Sequence, residues 1–224
     1  MLKKPGRSPT LMSGLILCII LSSLTSPTLA NQGVNWLTAQ AQPDGHYSTL
    51  DDLATSFQAT AETWRTFSQM GETPTTQPTM TAALDVINAE SFPSTEYLAR
   101  ILITRTLAGQ PVNELITELT ARLQYNGGLG DLSDYDHTVI DTAFALEALA
   151  MTSFVDTSIE ALYPAIDFIL QSTNNGGWGI NNEILTDVTA IVMHALWHYR
   201  HHVSHIPSLD IESALVSSPK LFAK

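Results

Sequence analysis

Cysteine is almost absent from the sequence, and the one present lies in a segment that a mature protein would not keep. Cys18 falls within an apolar run from Leu11 to Leu24, ahead of a predicted cleavage point after Ala30. A mature chain without cysteine can form neither disulfides nor thiolate zinc sites. We therefore expect the fold to be held together by its apolar core.

Basic residues are scarce as well. Lys and Arg together number 10, against 22 Asp and Glu, so the formal net charge is −12. A surface of this sign repels nucleic acids and anionic lipids, which excludes both as expected partners. It would suit solubility alone, the binding of cations, or a basic partner.

The first 30 residues have the pattern of a secretory signal peptide. Three basic residues precede the apolar run, and Thr28-Leu29-Ala30 ends in a small residue. The alternative is an uncleaved anchor, but the run is shorter than the ~20 residues of a spanning helix. We expect an exported protein, periplasmic or extracellular, without a membrane span after cleavage. Its 194 residues would carry seven basic and 22 acidic side chains, a net charge of −15.

Runs of alternating β-branched residues are missing too, so no strand is predicted. Apolar residues recur at helical spacing instead, which predicts an all-α fold. A repeat domain is expected over 31–206, and 207–224 is expected to be a C-terminal tail or capping segment. Eight helices in four antiparallel hairpins are predicted over 33–42, 51–70, 81–90, 95–107, 111–124, 136–149, 156–171 and 182–205.

Glycine turns divide the helices at regular intervals. The stretch Tyr125 to Leu149 places a glycine turn before a helix, and Asn174 to Leu196 has the same pattern. A weaker copy begins at Pro43, and we align its Asp52 to Ala59 with Asp141 to Ala148. The two later turns lie 49 residues apart. A period of this length is typical of stacked helical hairpins.

A helix ending in Gln, a Gly-Gly-Trp-Gly turn and an Asp-x-Thr-Ala helix together resemble the repeats of the α/α-toroid family. That family includes squalene and hopene cyclases, protein prenyltransferase β subunits and complement-type thioester domains. The resemblance covers roughly 33–200 and implies stacked hairpins forming a partial toroid. A closed toroid usually holds more than four hairpins, so it also implies an incomplete ring or a fragment of a larger toroid protein.

The catalytic and metal-binding motifs of these families are incomplete or absent in this sequence. Class II terpene cyclases protonate an alkene with Asp-x-Asp-Asp-Thr-Ala, but Ile140 occupies the position of the proton donor here. The prenyltransferase zinc site and the thioester both need a cysteine. The weak catalytic candidates that remain, with helix capping as the alternative role, are Asp51, Asp52, Asp141 and Asp187.

A histidine stripe near the end of the domain is the other unusual feature. Residues four apart on a helix lie on one face, so His194, His198 and His202 could hold a divalent transition metal. The alternative is the polar flank of an amphipathic helix near its C-terminus, where histidine favours the helix dipole. No other cofactor is expected.

Aromatic residues at the glycine turns are candidates for ligand binding. Tyr47, Tyr135 and Trp178 could stack on a sugar or an apolar ligand, or could fill the core between hairpins. Tyr135 and His137, together with Arg200, could also serve a polysaccharide-cleaving enzyme. The acidic balance of the chain opposes an anionic polymer as its substrate.

These observations predict an exported, non-catalytic binding or scaffold module. The alternatives are a cyclase-like or polysaccharide-cleaving toroid enzyme and a fragment of a larger toroid protein. An assembly module that forms an oligomer through an open repeat end is a third possibility. The tail offers Leu209, Ile211, Leu215 and Val216 as a short amphipathic segment that could cover such an end.

Overall fold

A computed structural model describes residues 32–48, 54–71, 80, 84, 94–131, 136–181, 183–203, 206 and 210–217. This part of the chain is mostly helical, which confirms the predicted all-α fold class. The predicted signal peptide and nearly all of the predicted helix 81–90 lie outside the described residues.

The helices agree with the predicted ones most closely where capping signals are strong. Thr95–Leu107 matches its prediction in full, with Ser94 as the N-cap accepting from the backbone N–H of Tyr97. The predicted helix 156–171 is divided, and Pro164 lies in the first turn of its last part. The helices are α1 (32–39), α2 (Ser56–Gln69), α3 (Thr95–Leu107), α4 (Asn113–Ala121), α5 (Val139–Ala150), α6 (Phe154–Ser158), a 3₁₀ turn (Ile159–Leu162), α7 (Tyr163–Gln171), α8 (Thr186–Tyr199) and α9 (Ile211–Ser217).

Among the described residues, four two-residue strands, which the sequence did not predict, join the glycine loops to the helices that follow. They form two antiparallel pairs, one before α5 and one before α8. Pieces this short contain no alternation of apolar and polar residues for a sequence pattern to reveal. The strands are β1 (Leu129–Gly130), β2 (His137–Thr138), β3 (Gly179–Ile180) and β4 (Glu183–Ile184).

Helix α5 lies at the centre of the fold. It packs against α3 on one side and α8 on the other, and α2 packs against α3, so these four helices form a row. Ala143, Ala145 and Ala148 of α5 are fully buried, and such small side chains let neighbouring helices approach closely. Helix α7 also packs against α5.

Polar contacts show the relative direction of the first two helices in the row. Gln58 donates to Glu96 over 2.9 Å, and one turn later Glu62 pairs with Arg100. Because both partners advance together along the chain, α2 and α3 run parallel. Parallel neighbours require an intervening segment that returns the chain to the same end.

Each of three glycine loops is attached to the following helix by the same hydrogen bond. The backbone N–H of a buried apolar or aromatic residue, two positions after a glycine with positive φ, donates to a threonine hydroxyl. All three threonines are fully buried. The pairs are Tyr47 with Thr60 (2.8 Å), Leu129 with Thr142 (2.9 Å) and Trp178 with Thr189 (3.0 Å).

This hydrogen bond corrects the predicted alignment of the first repeat. The sequence pattern aligned Asp52 with Asp141 of α5, which made Leu53 the counterpart of Thr142. The structure gives that place to Thr60, two helical turns later. The apolar pattern could not distinguish the two alignments, because a shift of seven residues returns a helix to nearly the same face.

Gly127 occupies a position where any side chain would be strained. Its φ is +89°, and an added Cβ would lie 2.0 Å from the backbone oxygen of Pro164. We expect Gly127→Ala to lower the free energy of unfolding by about 3 kcal/mol through backbone strain and the clash. Gly109→Ala is the control, since its φ is +67° with no atom near the added Cβ; there we expect a loss of about 1 kcal/mol. If urea unfolding shows the same loss of stability for Gly127→Ala and Gly109→Ala, the clash with Pro164 is refuted.

The last helix packs against α8. Ile211 and Leu215 of α9 are 2% and 8% exposed and belong to the main core, whereas Val216 is 70% exposed. The tail therefore adds apolar cover to one side of α8. Trp197 remains 52% exposed, with the guanidinium of Arg200 3.4 Å from the centre of its ring.

Candidate functional site

Ionisable residues recur at one position of the repeat, five residues after a buried threonine. Arg65 follows Thr60 in this way, and Glu147 and His194 follow Thr142 and Thr189. In α3, Arg100 follows the fully buried Thr95 by the same number of residues. Together with their neighbours these side chains form what we call the polar centre: Glu62, Arg65, Glu96, Arg100, Glu147, His194 and His198.

Glu147 is the most enclosed member of the polar centre, with a side chain that is 4% exposed. Its carboxylate pairs with the guanidinium of Arg65 and lies 3.0 Å from Nδ1 of His194. Burial by itself raises the pKa of a carboxyl, but the hydrogen bond from His194 and the charge of Arg65 outweigh it. The pKa of Glu147 is therefore below its ordinary value. Three helices, α2, α5 and α8, meet at this one carboxylate.

Arg100 connects the rest of the polar centre. Its guanidinium pairs with Glu62 of α2 and, over 2.8 Å, with Glu96 of its own helix. It also lies 5.1 Å from the ring centre of Phe144, a cation–π contact that joins it to α5. The side chain of Glu62 is 51% exposed, so solvent reaches the polar centre from the α2 side.

Two histidines of α8 complete the polar centre. The rings of His194 and His198 meet edge to face, with their centres 5.2 Å apart. Partial burial lowers the pKa of His198, and the electrostatic interaction with the neighbouring His194 acts in the same direction. Its imidazole is therefore neutral at pH 7, the form in which imidazole binds metals or accepts protons.

The helix that carries the predicted metal ligands is shorter than the sequence suggested. Helix α8 ends at Tyr199, and His202 lies in the turn beyond it, where its backbone N–H donates to the carbonyl of Tyr199. His202 therefore lies outside α8, which carries His194 and His198. Within the described residues, no group of three or more His, Cys, Asp or Glu side chains is arranged to hold a metal ion.

The aromatic candidates for ligand binding lie in the core where the structure describes them. Tyr47 and Trp178 are 3% and 1% exposed, and the indole N–H of Trp178 donates to the carbonyl of Ile169 over 2.7 Å. Both side chains pack between helices, so they fill the core, which was the alternative to stacking on a ligand. Tyr135 lies outside the described residues.

His137, the other binding candidate, belongs to the glycine loop before α5. Its ring lies 3.2 Å from Oε1 of Gln124, contacts the side-chain amide of Asn126, and meets Phe168 edge to face. An added Cβ on Gly128 would lie 2.5 Å from Cβ of His137. His137 therefore holds the loop closed against α7.

The acidic candidates do not come together at one site among the described residues. Asp187 is exposed in the first turn of α8, where the helix dipole stabilises a carboxylate. Asp141 lies in the first turn of α5, where its backbone N–H donates to the hydroxyl of the N-cap Thr138 and its carboxylate accepts from that hydroxyl over 2.5 Å. Asp51 and Asp52 lie outside the described residues.

Asp141 should make stability depend on pH. Burial, reinforced by the charges of Asp131 and Glu96, raises its pKa despite the hydrogen bond from Thr138. The folded state therefore binds this proton more tightly than the unfolded state, and its stabilising effect is lost as pH rises through the folded pKa. We expect Asp141→Asn to gain stability relative to the parent as pH rises from 3 to 7. If the difference in the free energy of unfolding between Asp141→Asn and the parent, measured in urea, stays constant from pH 3 to 7, this prediction is wrong.

Sequence reasoning missed the two arginines and three glutamates of the polar centre. A signal for Glu147 exists, because it is the only charged side chain between Thr142 and Ala150 in an otherwise apolar stretch of α5. Alignment of the first repeat by Thr60 would also have placed Arg65 at the position of Glu147. Once the buried threonines are superposed, the same position carries an ionisable residue in all four helices of the row.

Comparison with known proteins gives no relative from which a role could be transferred. Within the described residues, none of the helices is both long enough and apolar enough to cross a membrane. No protein family matches the chain, and it finds no match among curated proteins or solved structures.

Proposed function

We propose that this chain is an exported, non-catalytic binding module of the α/α-toroid type, with the polar centre as its binding face. The toroid assignment is supported by the loop-to-threonine hydrogen bond that recurs in three repeats. It is also supported by the row α2, α3, α5 and α8, in which each helix packs against the next. In such an arc, the helices of the row would form the inner layer.

The single observation that carries the proposal is the buried carboxylate of Glu147 with its partners Arg65 and His194. Replacing a buried ion pair by apolar residues of similar size often leaves stability unchanged or raises it. Stability alone therefore gives little reason to keep these charges at the centre of the repeats. A role in binding gives one, because ionised groups on a rigid scaffold recognise a partner of defined charge.

The sign of the charge favours a cationic or basic partner. The chain carries a net charge of −12, and the exposed rim of the polar centre on α2 is the carboxylate of Glu62. Attraction of a basic ligand toward an acidic surface raises its rate of association. The apolar Ile140, at the position where related cyclases carry a proton donor, supports the non-catalytic part of the proposal.

Binding of a hexalysine peptide, measured by calorimetry at low and high salt, tests this function. We expect saturable binding that weakens with salt and falls about threefold or more in Glu62→Gln. Glu118→Gln is the matched control, because that carboxylate is also half-exposed and paired with an arginine but lies on α4. Equal binding by both variants, or cleavage of oligogalacturonate by the parent, would refute the proposal.

A further inference from the structure

We propose that His194 and His198 together bind one divalent transition-metal ion, with Glu147 holding His194 in position. The inference rests on the proposed function, because it assigns a specific cation to the polar centre. The two histidines lie one turn apart on α8, and the carboxylate reaches them from α5. Copper, zinc and nickel ions all favour imidazole nitrogen as a ligand.

The contact with Glu147 selects which nitrogen of His194 is available. Nδ1 lies 3.0 Å from the buried carboxylate and 3.4 Å from a guanidinium nitrogen of Arg65, so a metal-binding tautomer would keep its proton on Nδ1, facing the carboxylate. Nε2 is then left with a free lone pair on the side of the ring away from the carboxylate. A metal-binding histidine commonly donates its other N–H to a carboxylate in this way, which fixes the ring and raises its basicity.

The placement of the two rings permits chelation. Imidazoles at positions i and i+4 share one face of a helix, and these rings already touch edge to face with their centres 5.2 Å apart. The side chain of His194 is 46% exposed, and His198 is partly exposed. Both rings therefore have room to turn their free nitrogens toward one ion that approaches from solvent.

Arg65 restricts the number of protein ligands to two. Its guanidinium pairs with Glu147 and lies 3.4 Å from Nδ1 of His194, so the carboxylate is already neutralised and faces the arginine. Glu147 is thus a positioning residue and not a ligand, and water would fill the remaining coordination positions. Two protein ligands agree with the absence of a three-ligand cluster among the described residues.

Copper(II) binding to the full chain tests the site, with calorimetry for affinity and electron paramagnetic resonance for the number of bound nitrogens. We expect one strongest site with two imidazole nitrogens. His194→Ala and His198→Ala should each weaken it about tenfold or more and remove one nitrogen from the spectrum. His202→Ala, the control in the turn beyond α8, should change the affinity less than about threefold. Parent-like binding in either of the first two variants would overturn the proposal.

The role of Glu147 needs a variant that remains packed. Glu147→Gln keeps an acceptor for Nδ1–H and should leave copper affinity within about threefold of the parent. The double variant Arg65→Met/Glu147→Leu removes the acceptor and should weaken binding about ten- to a hundredfold, with altered copper hyperfine structure. An unchanged spectrum in the double variant would refute the positioning role. Hexalysine binding that remains sensitive to Glu62→Gln, without copper binding, would overturn the metal site alone.

Discussion

Arg65→Met is expected to lower the free energy of unfolding by about 3–5 kcal/mol. The substitution keeps most of the apolar stem but leaves the carboxylate of Glu147 buried without its guanidinium partner. His194 offers only partial compensation, because its ring must take up a proton to carry a charge. Urea unfolding followed by circular dichroism at pH 7 gives the difference directly.

The double variant Arg65→Met/Glu147→Leu should recover most of that loss. With both charges removed the site becomes apolar, and an apolar replacement of a buried ion pair is usually neutral or stabilising. Glu118→Gln provides the control for a surface pair with Arg122, and we expect it to cost less than about 1 kcal/mol. If Arg65→Met stays within about 1 kcal/mol of the parent, Glu147 is not the buried partner that its contacts indicate.

Trp178→Ala is expected to lower the free energy of unfolding by a similar amount, about 3–5 kcal/mol. The indole is 1% exposed and fills the core beneath the third glycine loop, so its removal leaves a cavity. Thr189 would still hold the loop through the backbone N–H of residue 178. Thermal and urea unfolding of the variant separate this packing role from the alternative, a ring that binds ligand.

Trp178→Phe is the matched variant because it keeps an aromatic ring in the core. It removes the hydrogen bond from the indole N–H to the carbonyl of Ile169, which we expect to cost about 1–3 kcal/mol. A parent-like stability for Trp178→Ala would mean that the ring does not pack in the core in solution. In that case ligand binding would again be the better interpretation of this residue.

The hairpin pattern could be read from the chain because its causes are local. Ser94 and Thr138 cap α3 and α5, and the glycine of each loop adopts a positive φ that other residues avoid. These features act over a few residues, so they leave a signature in the sequence. The same locality explains the misplaced first repeat, since two alignments seven residues apart satisfy one apolar pattern equally well.

The amino-acid sequence by itself determined the helical class, the spacing of the glycine loops and the acidic charge. Only the tertiary structure decided that Arg65, Glu147 and His194 meet, because they come from three helices separated by more than forty residues at each step. It also ended α8 at Tyr199, which leaves His202 in the turn beyond the helix, and it buried the hydroxyl of Tyr199, which donates to the carbonyl of Leu146 over 2.6 Å. The periodicity of a helix fixes which residues share a face, whereas the packing of helices decides what that face meets.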